Sequence, residues 1–270
     1  MPSKTETSMR RLALLLVPVI AILLPATAAA APAAGKYVAL GDSYAVGVGT
    51  YTYDDPNADC RRGPLEYSRL WAAAHPATTY VEESCSGALV ADVANQAAAG
   101  LTPDTTLVTV QVGGNDVGFV SVLETCILNF ADSTCVNAVN AAVATGRSVL
   151  PGGLADLYRG IRAKAPSAQV VVMGYPHFYK IGGNCWVGLS DTKRSALNNG
   201  TDILDGLLQT AAADAGFRFV DARTAFAGHE LCSGNPEWMT SLQWDKLNES
   251  YHPNALGHQA YFGALKAITG

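Results

Sequence analysis

Charge is scarce in this chain: Asp, Glu, Lys and Arg make up 15% of its 270 residues, and the formal balance is −5. No cluster of Lys and Arg supplies the basic footprint that a nucleic acid or other polyanion requires, so nucleic-acid partners are not expected. No two cysteines stand in Cys-x-x-Cys spacing, which removes the common zinc frameworks. The glycine-rich stretch from Ala45 to Gly49 lacks the Gly-Lys-Ser/Thr ending of a phosphate cradle. Gly-x-Ser-x-Gly is missing too. Its nearest approach, Gly41-Asp42-Ser43-Tyr44-Ala45, ends in alanine and lies early in the chain, which argues against the elbow that this motif marks. The apolar run from Leu12 to Leu24, interrupted by Pro18, falls short of the roughly 20 residues that span a bilayer.

That run has another use. Lys4, Arg10 and Arg11 precede it, and small residues with Ala-x-Ala cleavage options follow it. A charged start, an apolar centre and a small-residue end describe a secretory signal peptide over residues 1–34, with cleavage placed loosely near Ala34. Residues 35–270 then form one domain, long enough for a full core and undivided by any repeat or linker. All six cysteines fall there, an even number in an exported chain, which implies disulfides. Their order suggests Cys60–Cys85, Cys126–Cys135 and Cys185–Cys232.

Buried strands are expected at Tyr37–Leu40, Thr79–Glu82, Thr106–Val112, Gln169–Met173 and Phe217–Val220, from short apolar or β-branched runs closed by turn residues. Helical spacing falls over Leu65–Ala74, Leu89–Ala99, Leu150 to Pro166, Asp191–Ala215 and Ala255–Ile268. Phe119 to Val149 reads as a long, partly apolar excursion. Strands alternating with helices predict an α/β fold with a parallel sheet covered on both faces. In such sheets ligands sit beyond the carboxyl ends of the strands. Ser43, Ser86-Gly87 and Gly113-Gly114-Asn115 all follow expected strand ends, so three loops converge on one edge.

Acyl transfer needs a nucleophile, a base and donors aimed at the developing oxyanion. Ser43 offers an exposed hydroxyl on a tight turn. Of five histidines, His252 stands before Pro253, where helix is disfavoured, and is presented from a loop. His75, His177, His229 and His258 have plainer readings, His258 as a surface residue of the last helix. The Asn115 amide and the Gly87 N–H are the candidate donors.

Gly41-Asp42-Ser43-Tyr44 near the start of the mature chain, Gly87, Gly113-Gly114-Asn115-Asp116 and the late His252 match the four blocks of the SGNH (GDSL-type) hydrolases. From about Lys36 onward the chain resembles the secreted actinomycete lipases, esterases and phospholipases of that family. The resemblance implies a three-layer α/β/α sandwich with a central parallel sheet, and serine-esterase chemistry without a metal or cofactor. Ser43 would be the nucleophile and His252 the base. The N–H groups of Ser43 and Gly87 and the Asn115 side chain would form the oxyanion hole.

Two positions depart from the pattern. Tyr44 replaces the usual leucine, which is expected to alter packing rather than chemistry. The aspartate commonly found three residues before the histidine is Glu249 here. Glu249, the Ser250 carbonyl and Asp245 are therefore all candidates to orient His252, with a backbone carbonyl favoured. Trp186, Trp238, Trp244 and the segment from Phe119 to Phe130 are candidates to line an acyl groove. The expected function is secreted lipid-ester hydrolysis, as a lipase or esterase with phospholipase A1 within range, by a monomer in transient contact with lipid surfaces. The alternative is a carbohydrate esterase that removes acetyl groups.

Overall fold

A computed structural model describes residues 1–2, 35–185 and 188–270. The leader and Trp186 thus lie outside the described residues, apart from Met1 and Pro2. Ala34–Gly270 forms one compact unit.

Five parallel strands make the sheet: β1 (Lys36–Gly41), β2 (Thr79–Glu82), β3 (Leu107–Gln111), β4 (Gln169–Met173) and β5 (Arg218–Val220), in the order β2-β1-β3-β4-β5. The inner strands are buried on both faces, which is why Tyr37–Leu40 and Leu107–Gln111 read as nearly continuous apolar or β-branched runs. Val38 pairs with Val81 on one side and Val108 on the other. Edge strands β2 and β5 are shorter and partly exposed.

Chain direction across the sheet reverses once. The step from β1 to β2 runs one way, and every later step runs the other. Right-handed crossovers then place the connecting helices on opposite faces. Accordingly α1 (Tyr67–Ala74) packs with α7 (Ala255–Thr269), whereas α2 (Val90–Gly100), α3 (Phe119–Leu128) and α5 (Asp191–Asp214) pack against α4 (Asp132–Lys164). The short α6 (Ala222–Ala225) lies against α7. The reversal falls between β1 and β3, and a crevice opens at their carboxyl ends.

The turn after β1 is built for glycine. Gly41 has φ +150°, and a Cβ there would lie 2.6 Å from the Gln111 carbonyl oxygen and 2.8 Å from the Ala45 Cβ. Gln96 of α2 clamps this peptide: its Oε1 accepts the Gly41 N–H at 2.8 Å, and its Nε2 donates to the Gly41 carbonyl at 3.0 Å.

Two expectations change. The excursion from Phe119 to Val149 is helical, forming α3 and the first half of α4. Helix α4 also runs through Pro151-Gly152-Gly153. A proline removes one helical hydrogen bond, but Val139, Leu150, Leu154, Leu157 and Ile161 are buried on both sides of it. Tertiary packing outweighs that local loss. The cysteines pair as their order suggests, Cys60–Cys85, Cys126–Cys135 and Cys185–Cys232. The second bridge ties α3 to the start of α4.

Substituting Gly41→Ala should cost roughly 1–3 kcal/mol through overpacking and lower Tm by several degrees in a thermal melt. An unchanged Tm would contradict the close approach described for this turn.

Candidate active site

Asp42 shapes the end of the first turn. Its N–H donates to the Gln111 carbonyl at 2.9 Å, and its carboxylate accepts the Tyr44 N–H at 2.9 Å and the Tyr175 hydroxyl at 2.5 Å. Burial pushes its carboxyl up to about 7, while the bonds from Tyr175 and Tyr44 pull the other way. This arrangement turns the Ser43 side chain outward, and the Ser43 N–H has no hydrogen-bond partner among the described residues.

His252 arrives from the other end of the chain. Thr240 receives the loop, its N–H donating to the His252 carbonyl at 2.8 Å. Asn254 then caps α7, its Oδ1 accepting the N–H groups of Leu256 and Gly257 at 2.9 and 3.1 Å. Between these two anchors the ring spans both partners a base requires. His252 Nε2 lies 2.8 Å from Ser43 Oγ, and Nδ1 lies 2.9 Å from the Ser250 carbonyl oxygen. A carbonyl can only accept, so Nδ1 carries the proton and Nε2 is free to accept the serine hydroxyl. Burial draws the His252 pKa down to about 4, against the opposing pull of the Ser250 carbonyl and of Glu249. The ring is therefore neutral at ordinary pH.

Of the three candidates to orient the ring, the Ser250 carbonyl is the group that faces it. Glu249 is buried, but its Oε2 accepts the Gly49 N–H at 2.8 Å and the Tyr53 hydroxyl. Asp245 is exposed.

The other two loops complete the edge. Gly87 has φ +82°, faces open space, and its N–H has no partner among the described residues. Asn115 Nδ2 donates to the Ala88 carbonyl at 3.0 Å. That bond fixes which way the amide faces and leaves its second N–H for a ligand. Ser43, Gly87, Asn115 and His252 all border one cavity of about 500 Å³.

The cavity extends away from these polar groups between α3, α4 and α5. Phe119, Leu123 and Ile127 of α3 line it, as expected, together with Trp244 from the loop opposite. Leu204 and Leu207 of α5 also line it, within the stretch whose helical spacing gave no sign of a groove. Phe130 is fully exposed rather than in the groove. Trp238 packs instead on Phe226 and on His229, whose ring stacks at 3.6 Å. His258 departs most from expectation. It is wholly buried under α1, where Nδ1 accepts the Tyr67 N–H at 3.3 Å, one of the donors a helix start leaves unpaired. The sequence missed Gln96, Thr240 and Tyr175, since polar groups that act on backbone from distant elements leave no local pattern.

Residues 39–260 match the GDSL-like lipase/acylhydrolase family. The chain belongs to it. Members are carboxylic ester hydrolases, and the blocks around Ser43, Gly87, Asn115 and His252 lie inside the matched span. The chain is 46% identical to Lipase 1 of Streptomyces coelicolor over 91% of its own length and 90% of that protein's. The crystal structure of phospholipase A1 from Streptomyces albidoflavus has a TM-score of 0.82 at 47% identity, over 87% of this chain and 99% of that one. The extracellular lipase of Streptomyces rimosus gives 0.81 at 43%, over the same shares of each chain. Among the described residues no helix is long and apolar enough to cross a membrane, and no group of His, Cys, Asp and Glu is placed to hold a metal ion.

The His252 ring should titrate well below 6.5, toward 4. Following its C–H resonances by NMR across the acid range would show this, and a midpoint near 6.5 would contradict the burial described here.

Proposed function

We propose that this protein is a secreted serine esterase that hydrolyses carboxylic esters of lipids, as a lipase or phospholipase A1, through a Ser43–His252 acyl-enzyme mechanism. The observation that carries the reading is the 2.8 Å contact between Ser43 Oγ and His252 Nε2 at the polar end of an apolar groove of about 500 Å³. Relatives named lipase and phospholipase A1 support the same substrate class. Three disulfides and the leader-like first residues support export. The enzyme acts as a monomer, and Val120, Leu128, Trp244 and Leu247, which border the groove and are exposed, would meet a lipid surface.

In the cycle, His252 Nε2 takes the Ser43 proton as Oγ attacks the ester carbonyl. The oxyanion lies among the N–H groups of Ser43 and Gly87 and the free N–H of Asn115. The imidazolium keeps its Nδ1 proton on the Ser250 carbonyl and returns the Nε2 proton to the departing alcohol. Water then attacks the acyl-serine, His252 again acting as base, and the acid leaves. The acyl chain lies along Phe119, Leu123, Leu204 and Leu207. An acetylated sugar would gain little from such walls, because buried apolar surface leaves its hydroxyls without partners.

Turnover of p-nitrophenyl esters from acetate to palmitate tests this reading. Long-chain activity should exceed that on acetate and vanish in Ser43→Ala. Asn115→Ala should lower kcat by roughly 10²–10³-fold at unchanged Tm. Activity confined to acetate would move the assignment to carbohydrate esters, and activity surviving Ser43→Ala would remove it altogether. With a neutral imidazole required, kcat/KM should fall only as pH drops toward the His252 pKa near 4, and a decline centred near 6.5 would contradict the account.

A further inference from the structure

We propose that Tyr44, the residue after the nucleophile, is a positioning residue whose hydroxyl sets the orientation of His252. The inference rests on the reading of His252 as the base. Tyr44 is buried, and its hydroxyl donates to the Tyr251 carbonyl at 2.5 Å, across 207 positions of chain. The same ring lies 5.1 Å from the His252 ring and 5.0 Å, edge to face, from Tyr175. Its backbone N–H is held by Asp42. One side chain thus spans the turn that carries Ser43 and the turn that carries His252.

The second turn needs such a hold. Tyr251 has φ +61°, a left-handed conformation that costs a bulky residue free energy and persists only when its surroundings enforce it. Reversing the chain at that residue sends the Ser250 carbonyl back toward His252 Nδ1, two positions on. Three contacts enforce the reversal. The Tyr251 N–H donates to the Thr240 carbonyl at 3.0 Å, its side-chain hydroxyl lies 2.9 Å from that of Tyr179, and its carbonyl receives Tyr44. The last is the one that leads directly to the peptide joining Tyr251 to His252.

This also relates the two departures from the family pattern to each other. Glu249 is turned away to Gly49 and Tyr53, so no carboxylate faces the ring. A lone carbonyl holds the imidazole only while the backbone between carbonyl and ring is held. The Thr240 carbonyl holds the Ser250–Tyr251 peptide through the Tyr251 N–H, and the Tyr44 hydroxyl, which leucine lacks, holds the next peptide, Tyr251–His252, so Tyr44 changes more than packing.

The test uses the mature chain with Tyr44→Phe, which keeps the ring and removes only the hydroxyl, and Tyr44→Leu, the residue more usual in the family. Steady-state kinetics on p-nitrophenyl butyrate would be read beside the downfield proton resonance of His252 Nδ1–H. In Tyr44→Phe, kcat should fall about tenfold with KM nearly unchanged, since one buried hydrogen bond of this kind is lost. The Nδ1–H resonance should broaden or disappear into exchange. Tyr44→Leu should show the same loss, so the result does not hang on one variant folding well. Wild-type kcat in both variants, or a lower kcat with the resonance intact, would overturn the proposal. His252→Ala serves as the separate check on the underlying reading: its inactivity supports the reading, and full activity there would remove the reading along with the inference.

Discussion

The hydrogen bond between Ser43 and His252 joins residues 209 positions apart, and the rest of the molecule sets its length. Neither end is free to find the other. Ser43 stands on a turn whose glycine is clamped by Gln96 and whose aspartate is held by Tyr175 and the backbone of β3. His252 is fixed between Thr240 and the cap of α7. Helices α1 and α7 cover the same face of the sheet, so the last helix returns its N-terminus to the end of the first strand. The fold brings the two ends together at the carboxyl ends of β1 and β3, where the order in which the chain adds strands reverses.

Electrostatics within that frame depend on burial more than on charge. No carboxylate hydrogen-bonds to His252, and burial draws its pKa down against the weaker pull of the Ser250 carbonyl and of Glu249. A neutral imidazole with one nitrogen committed to a carbonyl is a base in its resting state. The Ser250 carbonyl carries a dipole rather than a charge, so it steadies the imidazolium less than an aspartate would. In the proposed cycle the donors at Ser43, Gly87 and Asn115 then bear more of the stabilisation, all at fixed backbone or backbone-anchored positions.

Much of this was legible in the sequence because the informative residues sit at strand ends. An apolar run closed by Gly41, the glycines before Asn115 and a histidine just ahead of a proline each mark a loop at the same edge of a parallel sheet. Gln169–Met173 and Thr79–Glu82 are strands over the residues expected. The remainder was hidden for identifiable reasons. Helix α4 passes through Pro151 because neighbours on both sides hold it, and such support is tertiary. His258 is buried between α7 and α1, where only Nδ1 finds a donor, the Tyr67 N–H, and that contact is tertiary. Groove walls from α5 looked like ordinary core, since a leucine facing a cavity and one facing a helix have the same spacing. Tyr44 looked like a packing change because its partner, the Tyr251 carbonyl, belongs to the other end of the chain.

On the proposed reading, Ser43, activated by His252, opens onto a groove shaped for an acyl chain. The most direct test of that reading is intact-mass and peptide mapping after exposure to a long-chain alkyl fluorophosphonate. A single adduct on Ser43 is expected, formed faster with a hexadecyl than with an ethyl reagent and greatly slowed in His252→Ala. An adduct at any other residue, or equal rates with the two chain lengths, would contradict that reading.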